Sequence, residues 1–333
     1  MESQNNSKVD LSVIYTVRNE EDLIEKVVGE MMDELNKLRV SFEVIAPNVP
    51  SIDNSFSALE KVGKKYDNFF PVNMVQTRAD NLQKGYQMLL GIRLARGKKI
   101  ILTDSDGQAD PKDYRKLLEA IDSGADAVFG WRQDRSAAHG FFYNLTSFFQ
   151  NTLWRILTGM KIHDKNTGLK AMTDVAAKSL TLYGRNFRDI AYQLTAKSFK
   201  VTEVPINWRE RKGGIQNFKF LDRLLGGTLD LLVVVYLTKM LDKPFRYWGL
   251  QMVTSGALGV FIWFVAVVFL MIADSDLMFT TAILVAFIGS LAEFRALISL
   301  AIGVITEFVE SGRRFDVSDY YIIDDPKGIT QRL

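Results

Sequence analysis

Through residue 215 the chain switches repeatedly between short apolar runs and longer amphipathic stretches. The run LSVIYTV (11–17) reads as a buried strand, and NEEDLIEKVVGEMMDELNKL (19–38) follows with an acidic first turn and apolar residues at helical spacing. SFEVIAP (41–47) and PVNMVQT (71–77) continue the strands, with SFSALEKVGKKY as the helix between them. NLQKGYQMLLGIRLA is helical and ends at Arg96-Gly97, where Gly97 suits a C-terminal cap. KKIILTD (98–104) returns to strand, PKDYRKLLEAIDSG starts a helix with Pro111 at a first helical position, and DAVFGWR (126–132) closes the series. Strand and helix alternating at these lengths predict an α/β domain on a parallel-rich sheet with helices on both faces.

Beyond residue 215 the rhythm changes. Residues 218–241 place Phe218, Leu221, Leu224, Leu225 and Leu229 at helical spacing, with Lys219, Asp222, Arg223 and Asp230 elsewhere. That pattern predicts a helix lying at a membrane surface. Residues 248–272 carry no charge, and the run exceeds the roughly 20 residues needed to cross a bilayer. A second apolar segment, about 279–305, is interrupted only by Glu293 and Arg295. Both are costly in hydrocarbon, so they are expected against another helix in an oligomer, at lipid head groups, or near an interface.

Lys239, Lys243 and Arg246 precede the first span, Arg313 and Arg314 follow the second, and the connection carries Asp274 and Asp276 without a base. Positive charge on the inner side then predicts that both termini, and the whole N-terminal domain, lie in the cytoplasm. The first ten residues lack the apolar core of a signal peptide, so none is expected. The expected organisation is a cytoplasmic domain over 1–215, juxtamembrane interfacial helices over 216–246, a two-helix anchor over 247–310 and a cytoplasmic tail over 311–333.

Composition narrows the chemistry. Lys and Arg number 41 against 39 Asp and Glu, a net charge of +2 that gives no reason to expect nucleic acid as a partner. Without cysteine there is neither a disulfide nor a thiolate zinc site, and two histidines are too few for a histidine-rich metal centre. A mean hydropathy of +0.02 averages a charged domain with two apolar spans. Two spans with a large polar domain show no repeat of the kind transporters carry.

The candidate chemistry sits in ILTDSDGQADP (101–111), where Asp104 and Asp106 end a predicted strand. Side chains two apart on an extended segment share a face, so both carboxylates are expected to approach one hard cation. The tripeptide recurs at Asp274-Ser275-Asp276, read as solvated surface, so spacing alone is weak. The first copy is distinguished by its apolar strand, by Gln108 and Asp110-Pro111 after it, and by the predicted switch to helix.

With these residues in place, the chain resembles the inverting family-2 glycosyltransferases of GT-A fold, in the branch that acts on polyprenyl phosphates. TDSDGQADP resembles its D-x-D-x-Q-x-x-P motif, VRNEE (17–21) its opening strand-to-helix turn, and LTGMKIHDKNTGLKAM (157–172) its L-T-G-x-x-x-x-D-x-x-x-G-x-K segment. FGWR (129–132), VTEVPINWRERKGG (201–214), DKPFRYWG (242–249) and GVITEFVESGRRF (303–315) agree in order, so the resemblance covers nearly the whole chain. It implies Mg²⁺ or Mn²⁺ on Asp104, Asp106 and Gln108, a UDP- or GDP-linked nucleotide-sugar donor, a dolichyl or undecaprenyl phosphate acceptor, and attachment to a lipid bilayer. Asp106 and Asp164 are implied as catalytic residues, Asp164 orienting the acceptor or acting as a weak base. Asn19, Glu20, Asn48, Ser51, Asp53, Asp104, Gln108, Arg132, Arg209 and Arg211 are implied contacts of the donor and of the phosphates, which arginine binds in a forked geometry. Trp208, beside the two last arginines, is expected near the membrane interface.

Departures fall on the donor side. The family's D-D-G-S-like turn is here Asn48-Val49-Pro50-Ser51, Thr16 and Arg18 stand where Pro and Tyr are usual, Gln83 replaces a Gly, and Gln216-Asn217 replace Ser and Lys. Two readings follow: an enzyme holding its nucleotide differently, or a member without transferase activity that acts as a membrane scaffold or lipid-binding subunit. Retention of Asp104, Asp106, Gln108 and Asp164 together favours the enzyme.

Overall fold

All six residues of the first strand, β1 (Leu11–Thr16), are buried, as a strand covered on both faces requires. The computed structural model describes residues 9–76, 83–133, 162–182, 186–210, 244–312 and 321–332. After β1 come α1 (Glu21–Lys37), β2 (Phe42–Asn48), α2 (Ser55–Lys65), β3 (Phe69–Gln76), α3 (Gln83–Leu94) and β4 (Lys99–Asp104). A 3-10 turn at Pro111–Asp113 leads into α4 (Tyr114–Asp122), then β5 (Ala127–Arg132), β6 (Lys170–Thr173), α5 (Asp174–Lys178), α6 (Ile190–Ala196) and β7 (Val201–Ile206). Two long helices, α7 (Pro244–Met271) and α8 (Asp276–Gly312), precede β8 (Tyr321–Asp324) and a last 3-10 turn at Ile329–Arg332.

The strands form one sheet in the order β7-β5-β6-β4-β1-β2-β3-β8. β6 runs antiparallel to both β4 and β5, β8 runs antiparallel to β3, and the remaining pairings are parallel. The chain steps outward from β1 to β3 and then returns to the other side of β1 with β4. Right-handed crossovers consequently put α1 and α2 on one face and α3 on the other. Leu11, Val13 and Tyr15 pack with Ile24, Val28, Met31 and Leu35 of α1, while Ile14 faces Gly91 of α3. Each such buried large apolar side chain contributes about 1.5–3 kcal/mol, which is why an amphipathic helix at this spacing docks. The fold expected from the sequence, a parallel-rich sheet with helices on both faces and two C-terminal apolar helices, is the one observed.

The chain divides into two compact units, residues 1–234 with 316–333, and residues 235–315. Residues 321–332, expected only as a tail, return to the first unit and pair along β3 from Asn73↔Asp324 to Gln76↔Tyr321. Ile329 is buried behind this strand, and Lys327 donates to the carbonyl of Tyr66 at 3.0 Å. An edge strand laid over β3 covers backbone groups that would otherwise template aggregation.

In the second unit, Trp248–Met271 and Asp276–Ile305 are long and apolar enough to cross a membrane, and only 17% and 11% of their apolar windows are buried within the protein. Outward-facing apolar surface of that extent suits a membrane span better than a soluble core. The two helices meet at small residues: a Cβ on Gly259 would lie 2.7 Å from Cγ of Glu293, and one on Gly289 would lie 2.9 Å from Cδ1 of Trp263. Arg295 donates to the Gln251 side chain at 3.1 Å.

Candidate active site

β4 delivers Asp104 to the carboxyl edge of the sheet, opposite Thr16 of β1, in the crevice where strand order reverses. The expected alternation of Asp104 and Asp106 along one extended strand is corrected here. β4 ends at Asp104, and residues 105–107 turn, with Gly107 at φ +70°. A residue with a Cβ resists that left-handed conformation by roughly 1–2 kcal/mol, which is the reason for glycine. Asp106 closes the turn by accepting from the Gln108 N–H at 3.1 Å. A turn, not the pleat, therefore places the second carboxylate.

Cations surround Asp104. The Lys84 ammonium lies 2.7 Å from one carboxylate oxygen and 2.8 Å from the other. Burial pushes the Asp104 carboxyl up, but Lys84, through charge and hydrogen bond, and then Lys170 and Arg132, hold it below the usual carboxylate range. Lys170 is buried and donates to the carbonyl of Thr167. Burial lowers its ammonium to about 8, a shift that Asp104 partly opposes. Thr16 Oγ1 approaches Asp104 at 3.5 Å.

Arg132, at the end of β5, grips Asp164 with both arms of its guanidinium, at 2.5 and 2.9 Å. Both side chains are nearly buried, and the guanidinium carbon stands 4.7 Å from the Trp208 ring centroid. Gly168 completes the wall: a Cβ there would fall 2.6 Å from Asp104 Oδ2. The 164–170 stretch therefore packs directly onto the aspartate at the end of β4.

Gln108 and Arg209 are held from the other side. The Gln108 amide satisfies its neighbours when its nitrogen donates to Asp106 (3.0 Å) and its oxygen accepts from the Trp208 indole N–H (3.2 Å). Arg209 donates its backbone N–H to the Gln108 carbonyl at 2.8 Å. Its guanidinium pairs with Glu30 at 2.5 Å and Asp110 at 2.8 Å. Trp208, expected near the membrane interface, contacts Arg132 and Gln108. Arg211 and the basic loop after Glu210 lie outside the described residues, as does most of the expected interfacial segment 216–246.

The donor-side residues form a closed polar net across the turns after β1 and β2. Asn19, at φ 54°, donates its N–H to Ser51 (3.1 Å) and accepts from the Ile52 N–H (2.8 Å). Glu20 donates its N–H to Ser55 at 2.9 Å. Asp53 accepts from the N–H groups of Glu21 (3.1 Å) and Ser55 (3.0 Å). Burial raises the Asp53 carboxyl, but the Ser55 hydroxyl and these N–H groups bring it below its ordinary value. Asn48 donates to Asn73 at 2.9 Å and accepts from the Ser51 hydroxyl at 3.2 Å.

Chemically, the crevice offers Asp104 among three cations, with Asp106 in the turn that follows, a setting suited to a divalent ion and a diphosphate. Among the described residues no third carboxylate or histidine joins the pair. Two hard oxygen donors still fit Mg²⁺ or Mn²⁺, which keep waters and phosphate oxygens in their remaining positions. Lys84 and Lys170 are not marked out by the sequence, and Thr16 is marked only as a departure from the family's usual Pro. Lys84 stands in NLQKGY and Lys170 in TGLK, where each reads as an ordinary surface lysine until packing turns it inward.

An open α/β sheet with paired aspartates at and beyond a strand end at its switch point is of the doubly wound class, whose ligand crevice lies at that edge. Residues 12–181 match the family model Glycosyl transferase family 2, and the chain belongs to that family of glycosyltransferases. It is 26% identical over 262 residues to dodecaprenyl-phosphate galacturonate synthase of Rhizobium johnstonii, covering 76% of this chain and 75% of that protein. It is also 26% identical over 315 residues to undecaprenyl-phosphate 4-deoxy-4-formamido-L-arabinose transferase of Proteus mirabilis, covering 90% and 88%. Among solved structures, glucosyl-3-phosphoglycerate synthase from Mycobacterium tuberculosis superposes with a TM-score of 0.49 at 15% identity, over 68% of this chain and 78% of that one.

Proposed function

We propose that this chain transfers a sugar, with inversion at the anomeric carbon, from a UDP- or GDP-linked donor to a dolichyl or undecaprenyl phosphate at the cytoplasmic face of a membrane. The relatives from Rhizobium and Proteus are both named for polyprenyl-phosphate products, and both alignments cover at least three quarters of each protein. The observation that carries the reading is Asp104 at the switch point, set among Lys84, Lys170 and Arg132, with Asp106 in the turn that follows.

Asp104 and Asp106, with Gln108 beside them, would hold Mg²⁺ or Mn²⁺, which would supply positive charge against the leaving nucleoside diphosphate. Gln108 and Trp208 fix the Asp106 turn, and Arg209, through Glu30 and Asp110, fixes the segment that carries them. The net of Asn19, Glu20, Asn48, Ser51 and Asp53 floors the donor's nucleotide. Asp164 orients Arg132 toward the phosphates, and Arg211 meets the acceptor. The acceptor phosphate, with a second pKa of about 6, is already largely ionised near pH 7 and needs no strong base. That removes the need for a histidine relay. Residues 1–215 form the catalytic domain, 216–246 the juxtamembrane segment, and 247–310 the anchor. Copies of the chain associate through the two apolar helices.

The test is nucleoside diphosphate release by the purified chain in detergent, given undecaprenyl or dolichyl phosphate, Mn²⁺ or Mg²⁺, and a panel of UDP- and GDP-sugars. Release should require donor and acceptor together. If no donor reacts or raises the melting temperature, the chain is instead a membrane scaffold or lipid-binding subunit.

A further inference from the structure

Lys84 holds both oxygens of Asp104, at 2.7 and 2.8 Å, from the second residue of α3. A divalent ion on Asp104 needs at least one of those oxygens, and it cannot lie close beside a bound ammonium without strong repulsion. Asp104 cannot turn elsewhere to serve both cations. Its Oδ2 lies 2.6 Å from where a Cβ on Gly168 would sit, so the wall behind it is closed. Lys84 is the mobile party: its side chain is about one-third exposed, at 34%, and its aromatic neighbour, Phe187, lies 5.5 Å away at the ring centroid. Lys170, by contrast, is fully buried and tied to the Thr167 carbonyl.

We propose that Lys84 is an exchanging counter-cation: it occupies Asp104 until a nucleoside diphosphate arrives, then moves to the diphosphate and cedes Asp104 to the metal. The donor's charge thus provides both the displacing cation and a new partner for the displaced ammonium. Metal and donor binding become coupled through this one side chain, beyond the affinity that a diphosphate has for the metal itself. The inference rests on the metal assignment made above and goes further by naming the residue that makes occupancy depend on donor.

The experiment is Mn²⁺ titration of the full chain in detergent, followed by the electron paramagnetic resonance of free Mn²⁺, alone and with saturating UDP or GDP. Without nucleotide, Lys84→Met should bind Mn²⁺ roughly three- to tenfold tighter than wild type, the scale of a part-buried ion pair. Lys84→Arg, which keeps the counter-cation, should stay at the wild-type value. In an Asp104→Asn background, adding Lys84→Met should change Mn²⁺ affinity little, whereas a general field effect would persist. With nucleotide, the gap between wild type and Lys84→Met should shrink. Equal Mn²⁺ affinity of wild type and Lys84→Met without nucleotide overturns the exchange and leaves the metal site standing. No Mn²⁺ binding by any variant, with or without nucleotide, overturns the metal assignment and the exchange together.

Discussion

Replacing Gly168 by Ala tests the contact between the 164–170 stretch and Asp104 with one methyl group. The glycine backbone is not in the left-handed region, so alanine adds no conformational strain there. By itself the change would stabilise by about 0.4–1 kcal/mol through the unfolded chain. The new Cβ, however, would lie 2.6 Å from Asp104 Oδ2, 2.9 Å from its Cγ and 3.4 Å from Cη2 of Trp208. Carbon contacts are relaxed at about 3.5–4 Å, so Asp104 must move by roughly an ångström or the backbone must shift. Overpacking of this kind costs about 1–3 kcal/mol, which outweighs the entropy gain. The expected outcome is a melting temperature lower by about 2–4 °C for each net kcal/mol, together with a severalfold loss of sugar transfer as the Asp104 carboxylate is pushed out of place. Adding Asp104→Ala removes the struck atoms, so the double variant should recover the stability lost by Gly168→Ala. A Gly168→Ala protein that melts at or above wild type, with transfer unchanged, would refute the packing.

Arg132→Ala leaves the Asp164 carboxylate nearly buried without its partner, and a loss of about 3–5 kcal/mol in denaturant unfolding is expected, partly recovered by Arg132→Met with Asp164→Leu. Asp53 has its carboxyl held below the ordinary value, so its stabilisation is present above the unfolded pKa near about 3.9 and disappears as pH falls through the lower folded pKa. Asp53→Asn should therefore be less stable at neutral pH, and its stability should fall less steeply below about pH 4 than that of wild type. Truncation after Tyr320 removes β8 and buried Ile329, so hydrogen exchange along β3 (69–76) should accelerate; unchanged protection there would contradict the edge-strand role.

The parts of this molecule legible in the sequence are those governed by local pattern. The alternation from LSVIYTV to DAVFGWR gives β1 to β5 and α1 to α4 within a few residues, and the two apolar runs give α7 and α8. Asp104 stands where the strand pattern ends, and its neighbours along the chain mark it. Other features depend on contacts between distant segments. Lys84 and Lys170 look like solvent lysines until α3 and β6 turn them toward Asp104. Arg209 reads as a free phosphate ligand, yet Glu30, 179 residues away in sequence, claims its guanidinium. β6 has only four residues and runs antiparallel between β4 and β5, which no periodicity in TGLKAMT announces. β8 follows two apolar spans and reaches the sheet only by a long-range return. Strand alternation predicts that Asp104 and Asp106 share a face, but β4 ends at Asp104, and the turn over 105–107, with Gly107 at φ +70°, places Asp106 instead.

The central claim is that the Asp104–Asp106 pair drives sugar transfer to a polyprenyl phosphate. It is tested most directly by following label from a reactive nucleotide sugar into the lipid phase, for wild type and Asp106→Asn, with Mn²⁺ removed by chelation and restored. Wild type should form a glycosyl-phosphoryl lipid of inverted anomeric configuration, lose activity on chelation and regain it with Mn²⁺, while Asp106→Asn stays inactive throughout. Undiminished lipid labelling by Asp106→Asn, or transfer that persists under chelation, would contradict it.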